Sequence, residues 1–227
     1  NDKLIGVKAD GKWGYADSTG TICIPTRYEY APYFSHSADL PVLVKIDGKY
    51  TFYDTIRTGT KFDLFDNATP FKYAPDLRKN VAYVSKGKKV NLLLPNGNLL
   101  FEEFVDSFHV VEDLGIRVLR GDYYDWYNLE GKKILSNYLS ISPQKDLPLF
   151  IVKTETGYGI VDELGIPITK FVYEHKMLLT EKMFILRKDG EFTLFKRDTG
   201  EIFTPKTCCE NQSELDFALV ALNYYLS

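Results

Sequence analysis

Six times along this chain a large apolar residue is followed by a small or polar one and then by another apolar one. The first positions are Trp13, Tyr50, Val90, Tyr124, Tyr158 and Phe192, separated by 37, 40, 34, 34 and 34 residues. The second are Gly14, Thr51, Asn91, Asp125, Gly159 and Thr193, and the third are Tyr15, Phe52, Leu92, Trp126, Ile160 and Leu194. Alternation with a period of two is what a strand with one face in a core produces, and a helix would not produce it. Its return at nearly fixed intervals makes the chain an array of one supersecondary unit.

Each triplet is followed by a glycine reversal, at Gly20, Gly59, Gly97, Gly131, Gly165 and Gly200, mostly after Asp, Asn or Thr. Such reversals need a positive φ or an Asx-type hydrogen bond, a structural role that asks for no ligand. Apolar stretches precede the triplets at residues 4–7, 42–44, 81–84, 116–119, 150–152 and 184–186, and others follow the glycines, as at 22–24, 99–101 and 166–168. One repeat therefore supplies three antiparallel strands, with a fourth in the connector, as at residues 171–173. The repeats run over about 4–40, 41–79, 80–114, 115–147, 148–182 and 183–207, within a β domain spanning 1–210. Six units of three to four strands predict an all-β fold, a six-bladed β-propeller whose closure hides the sheet edges. The alternative is an open solenoid of stacked hairpins.

Residues 11–17, Gly-Lys-Trp-Gly-Tyr-Ala-Asp, with Gly20 and the strand at 22–25, resemble the WG (or KWG) repeat family of bacterial proteins. The next closest copy is residues 157–162, Gly-Tyr-Gly-Ile-Val-Asp, while the Trp-Gly pair itself occurs once. As a periodic pattern the resemblance covers residues 4–207. It implies a bacterial, repeat-built β protein of interaction or cell-envelope settings, and it brings no catalytic residues with it.

The last stretch differs in kind. Asn211, Gln212, Ser213 and Glu214 read as a helix start, and the apolar run through Leu215, Leu219, Leu222, Tyr225 and Leu226 predicts a C-terminal helix over 211–227. A helix apolar nearly all round has to be covered. Its simplest role is a cap on the β body; the sharper one is docking into a partner through Leu219, Leu222 and Tyr225.

A net charge of -3 leaves no basic footprint for nucleic acid, and no run of Lys and Arg suits an anionic membrane surface. No segment approaches the roughly 18 consecutive apolar residues of a transmembrane helix. The first residue is Asn1, which fits a cleaved export signal or a trimmed start, so localisation stays open between envelope, extracellular space and cytoplasm. Of three cysteines, Cys23 reads as a small buried hydrophobe in a strand, and the adjacent Cys208 and Cys209 as free or reactive thiols.

Residues with chemistry to offer are few. His36, His109 and His175 fall in the connectors of repeats one, three and five, an alternation that would give a three-fold metal site in a ring, but their offsets from the turn glycines are unequal. Glu102, Glu103, Asp106, Glu112 and Asp113 read as solvated edge residues before they read as catalytic pairs. Asp17, Asp54, Asn128 and Asp162 recur after the triplets as turn caps, without the dense oxygen ligands of a calcium loop. No nucleophile elbow, phosphate loop or paired Cys-x-x-Cys is present, so the chain reads as no enzyme and implies no cofactor or metal.

Aromatic residues are the remaining feature, at 16 Tyr, 15 Phe and 2 Trp, more than six anchors need. Tyr28, Tyr30, Tyr33 and Phe34, with Tyr123, Tyr127 and Tyr138, are the expected exposed members. On a rigid surface they would anchor a protein partner or stack on sugars. Two functions follow: a non-enzymatic protein-interaction or scaffold module, or, as the alternative, a glycan-binding module.

Overall fold

The computed structural model describes residues 4–31, 40–54, 62–145, 147–180, 183–189, 191–196 and 199–203. The helix expected over 211–227 lies outside them. Among the described residues the chain is all β, with one 3-10 turn at Pro75–Leu77, and its strands fall into six antiparallel sheets. There is one sheet for each of the six triplets. No helix of the described residues is long and apolar enough to cross a membrane.

Two compact units are present, residues 1–121 with 127–132, and residues 122–126 with 133–227. The first contains β1 (Ile5–Ala9), β2 (Lys12–Ala16) and β3 (Ile22–Tyr28), paired in that order, then the hairpin β4 (Val42–Ile46) and β5 (Lys49–Tyr53). It continues with β6 (Asn67–Ala68) and β7 (Lys72–Ala74), which both pair with β8 (Lys79–Lys86), and β9 (Lys89–Leu93) on the other side of β8. The hairpin β10 (Ser107–Val111) and β11 (Gly115–Arg120) ends this unit. The second unit holds β12 (Tyr123–Tyr127, Tyr127 excepted) and β13 (Lys133–Tyr138), then the sheet β14 (Ser140–Pro143), β15 (Leu149–Lys153) and β16 (Tyr158–Asp162). Its last sheet is β17 (His175–Thr180), β18 (Met183–Lys188), β19 (Glu191–Lys196) and β20 (Ile202–Phe203).

The triplets behave as their alternation requires at the third position. Tyr15, Phe52, Leu92, Trp126, Ile160 and Leu194 are all buried. Tyr15 joins Ile24, Tyr28, Val42 and Val44 in one core, and its hydroxyl donates to Leu43 O at 3.3 Å, while burial pushes its phenol pKa up. In the second unit Ile160 packs with Leu149, Ile151, Phe184, Leu186 and Phe195.

The middle position faces the strand after the glycine turn, where that strand passes too close for an ordinary side chain. A Cβ on Gly14 would sit 2.8 Å from both Pro25 C and Thr26 N. Where the repeat carries a polar residue instead, the side chain binds the same backbone. Thr51 Oγ1 donates to Phe62 O at 3.3 Å, and Asp125 Oδ1 accepts Asn137 N–H at 3.0 Å. Buried Asn91 does most: Nδ2 donates to Phe101 O and Glu103 O at 3.0 and 2.9 Å, and Oδ1 accepts the N–H groups of Leu92 and Phe101 at 2.8 and 3.1 Å. Buried backbone groups have to be paired, and a bulged strand leaves several without a ladder partner. That is why the sequence shows glycine or a hydrogen-bonding residue here.

The third and fourth strands correct the sequence reading: residues 99–101 and 166–168 form no strand and make only the bridges Leu99 to Leu93 and Pro167 to Val161. Residues 171–173 form no strand; Tyr173 makes one bridge to Tyr158, as Phe65 does to Tyr50 and Val105 to Val90. The chain then crosses into the sheet of the next repeat. Glu29, Asp66, Asp106 and Glu174 donate their N–H to Lys45, Ser85, Leu119 and Arg187 O at 2.8 to 3.1 Å. The following residues open β6, β10 and β17, strands that pair with the next copy. Three of these acids also hold the next copy's first turn, with Gly48 N–H on Glu29 Oε2 at 3.1 Å, Gly87 on Asp66 Oδ2 at 2.5 Å and Gly121 on Asp106 Oδ2 at 2.7 Å.

A pH dependence follows for Asp66. The Gly87 N–H, then the Lys49 ammonium, hold its carboxyl below the usual carboxylate value, so the folded state binds that proton more weakly than the unfolded chain. The stability this contributes is present above the unfolded pKa of about 4 and is lost as pH falls through the lowered folded value. In urea titrations, Asp66→Asn is expected to unfold earlier than the parent at pH 7 and with the parent at acid pH; an equal gap at both pH values would refute the linkage.

Candidate functional site

The expected aromatic surface is divided by the structure. Tyr28 and Tyr127, expected exposed, are core residues at 3% and 0% exposure. Tyr28 lies opposite Trp13 in the register, at the place Phe65 and Val105 take in their repeats, and that place faces the core. Tyr127 packs edge-on against Phe101 with centroids 5.2 Å apart. Tyr30 and Tyr123 are exposed as expected, Tyr30 edge-on to Tyr50 in the first unit and Tyr123 in the second, donating to Glu155 Oε1 at 2.9 Å. The Glu155 carboxylate that accepts this proton holds the Tyr123 phenol pKa up. Tyr138 is half-buried against Phe171. Tyr33, Phe34, Leu219, Leu222 and Tyr225 lie outside the described residues, as do His36, Cys208 and Cys209.

Other residues also differ from their expected settings. Cys23 is exposed, because its neighbour Ile24 takes the inward place on β3. His109 sits exposed on β10 and His175 opens β17, so neither is in a connector. The acids near residue 106 are engaged: Asp106 with Gly121, Glu103 with Arg120, and Asp113 with Arg78 at 3.8 Å. Asp17, Asn128 and Asp162 turn their side-chain oxygens onto backbone N–H groups of their own turns.

The surface that sequence reasoning missed is aliphatic. In the second unit Asp162 Oδ1 accepts the N–H groups of Leu164 and Ile166 at 2.9 and 2.7 Å, and so fixes the turn after β16. The chain returns along β16, with Ile168 N–H on Ile160 O at 2.8 Å and Thr169 turned inward to accept from Ile160 N–H. Leu164, Ile166 and Ile168, alternate residues on this return, stand 70%, 58% and 43% exposed.

In the two preceding repeats the chain after the turn is met by the glycine of the next turn. A Cβ on Gly131 would lie 2.7 Å from Leu100 Cδ1, and one on Gly165 2.9 Å from Leu135 Cδ2. A Cβ on Gly200, the turn glycine of the last repeat, would have nothing within 4 Å. The signal in the sequence is the apolar stretch 166–168 after Gly165, which does not say which way it faces.

One sheet per repeat, each joined to its neighbour by a strand that crosses between copies, defines a repeat-built all-β protein. Residues 13–50 match the family described as "WG containing repeat". No curated protein matches it in sequence. Among solved structures it is similar to the AfRom2 CNH domain, 11% identical over 89% of this chain and 85% of that one, with a TM-score of 0.27. It is also similar to Kluyveromyces lactis Hsv2p, 13% identical over 71% and 58% with a TM-score of 0.30. A third is the WD40 beta propeller domain of Doa1, 12% identical over 89% and 68% with a TM-score of 0.31.

Proposed function

We propose that the chain is a non-catalytic protein-interaction module whose docking face includes Leu164, Ile166 and Ile168. The observation that carries this reading is the exposure of these alternate aliphatic residues on a turn and return segment hydrogen-bonded to β16. Contiguous apolar side chains on a rigid surface are where partner side chains gain most by excluding water. Branched aliphatic groups suit an apolar protein segment better than a sugar, whose rings stack on aromatic faces. A non-catalytic role is supported by the acids described above, whose carboxylates are tied to turns or to arginines.

The proposal extends to a bacterial, envelope-associated assembly, the setting that the WG-repeat resemblance implies. It also includes the six-bladed ring, supported by the presence of one sheet per repeat; solution scattering separates a closed ring from an extended stack of hairpins.

The test is a cross-linked capture from the native cell with the parent and with Ile166→Lys/Ile168→Lys. Both positions are exposed, so the substitutions should change stability by no more than about 0.5 kcal/mol each. The reading expects the variant to lose a partner that the parent captures reproducibly. Identical partner sets would reject this face.

A further inference from the structure

One lysine stands where the repeat elsewhere puts an apolar residue. The strand that crosses into each next repeat meets it at Tyr30↔Lys45, Asn67↔Ser85, Ser107↔Leu119, Ser140↔Lys153 and His175↔Arg187. The next residue is Ala31, Ala68, Phe108 and Ile141 in the first four copies, and Lys176 in the fifth. The last four of these pair with Val84, Val118, Val152 and Leu186, every one fully buried. Opposed residues of an antiparallel pair share a face, so Lys176 is aimed along the core-facing side of its sheet.

Its ammonium meets two groups. Nζ donates to Ser142 Oγ at 2.7 Å and lies 5.7 Å from the centroid of the Tyr158 ring. Lys153 Nζ lies 5.3 Å from the same centroid. Elsewhere the repeat sets one lysine over its anchor ring, as with Lys8 at Trp13 and Lys45 at Tyr50. Tyr158 has two. None of the described ion pairs brings a carboxylate within 4.0 Å of Lys153 or Lys176 Nζ.

We propose that Lys176, Lys153, the Ser142 hydroxyl and the Tyr158 ring form a binding site for an oxyanion, a carboxylate or phosphate group. Withdrawing an ammonium from water without a counter-charge is costly, and here burial already lowers the Lys176 pKa. A ring face compensates a cation only in part, and a second cation on that ring adds repulsion. A bound oxyanion would remove both penalties and take up the ammonium protons that Ser142 leaves unused. The core of the second unit, by contrast, gains nothing from a lysine at a place that Ala31 and Ile141 fill elsewhere. A buried charge kept at a site that apolar residues serve points to binding.

The experiment uses the full chain, titrated at constant ionic strength with inorganic phosphate, with acetate and with a short polyglutamate peptide, and read by thermal unfolding and by lysine side-chain NMR. The parent is expected to show a saturable rise in unfolding temperature and saturable shifts at Lys153 and Lys176. Lys176→Met should fold at least as stably as the parent, because methionine restores the apolar character of the position. Its affinity should fall by about tenfold or more. Lys153→Met should weaken binding in the same direction. Tighter binding of the peptide than of acetate assigns the oxyanion to an acidic segment of a partner; saturation by phosphate alone assigns it to a free anion. A rise no larger than chloride gives, or unchanged affinity in both variants, overturns the site.

Discussion

Gly14→Ala is expected to unfold the first repeat earlier, at a cost of about 3 kcal/mol. The methyl group would meet the carbonyl oxygen of Ile24, the carbonyl carbon of Pro25 and the amide nitrogen of Thr26. All three belong to backbone, so no rotamer change relieves the overlap. Gly159 offers an internal comparison, since a Cβ there meets chiefly the Phe171 ring, a side chain that can swing aside. Gly159→Ala should therefore cost less, about 1 kcal/mol. Urea midpoints of the two variants against the parent check the ordering, and equal losses would show that the close approach at Gly14 is not the controlling contact.

Asn91→Leu should be still more damaging, by about 4 kcal/mol. Leucine fills a similar volume but leaves the buried Phe101 carbonyl, the part-buried Glu103 carbonyl and the buried amides of Leu92 and Phe101 without the partner that Asn91 supplies. Hydrogen exchange gives a local readout that a global midpoint does not: the Phe101 amide should lose protection more than amides of β1. Retained protection at Phe101 would mean that the backbone finds other partners and that the asparagine network is dispensable.

These two residues mark how far the sequence can be read. The period of two around Trp13, Tyr50 and their equivalents is a local property, and it correctly placed Tyr15, Phe52, Leu92, Trp126, Ile160 and Leu194 inside. The need for a small or polar residue between them was visible as well. Its cause was not, because it depends on a bulged return strand some ten residues away. Alternation also misled at Tyr127, since β12 buries neighbouring residues Trp126 and Tyr127 and so has no solvent face there. Nor does an apolar stretch say which way it faces: Ile166 and Ile168, after the Gly165 turn, are exposed. Lys176 carried no signal in sequence terms, for its oddity appears only when the cross-repeat register is known.

Because the strand that begins at Asn67, Ser107 or His175 completes the sheet of the following copy, the unit of heredity and the unit of folding are out of phase by one strand. A copy cut at its sequence boundaries takes away an edge its neighbour needs, together with the acid that holds that neighbour's first turn. Gain or loss of copies by duplication thus preserves every seam, since each new copy arrives already carrying the stitch for the one after it. Deleting part of a copy would break two sheets at once. An engineered array of these repeats should accordingly be divided just before acids such as Asp66 and Asp106, so that each building block carries a complete sheet and the acid that holds its first turn.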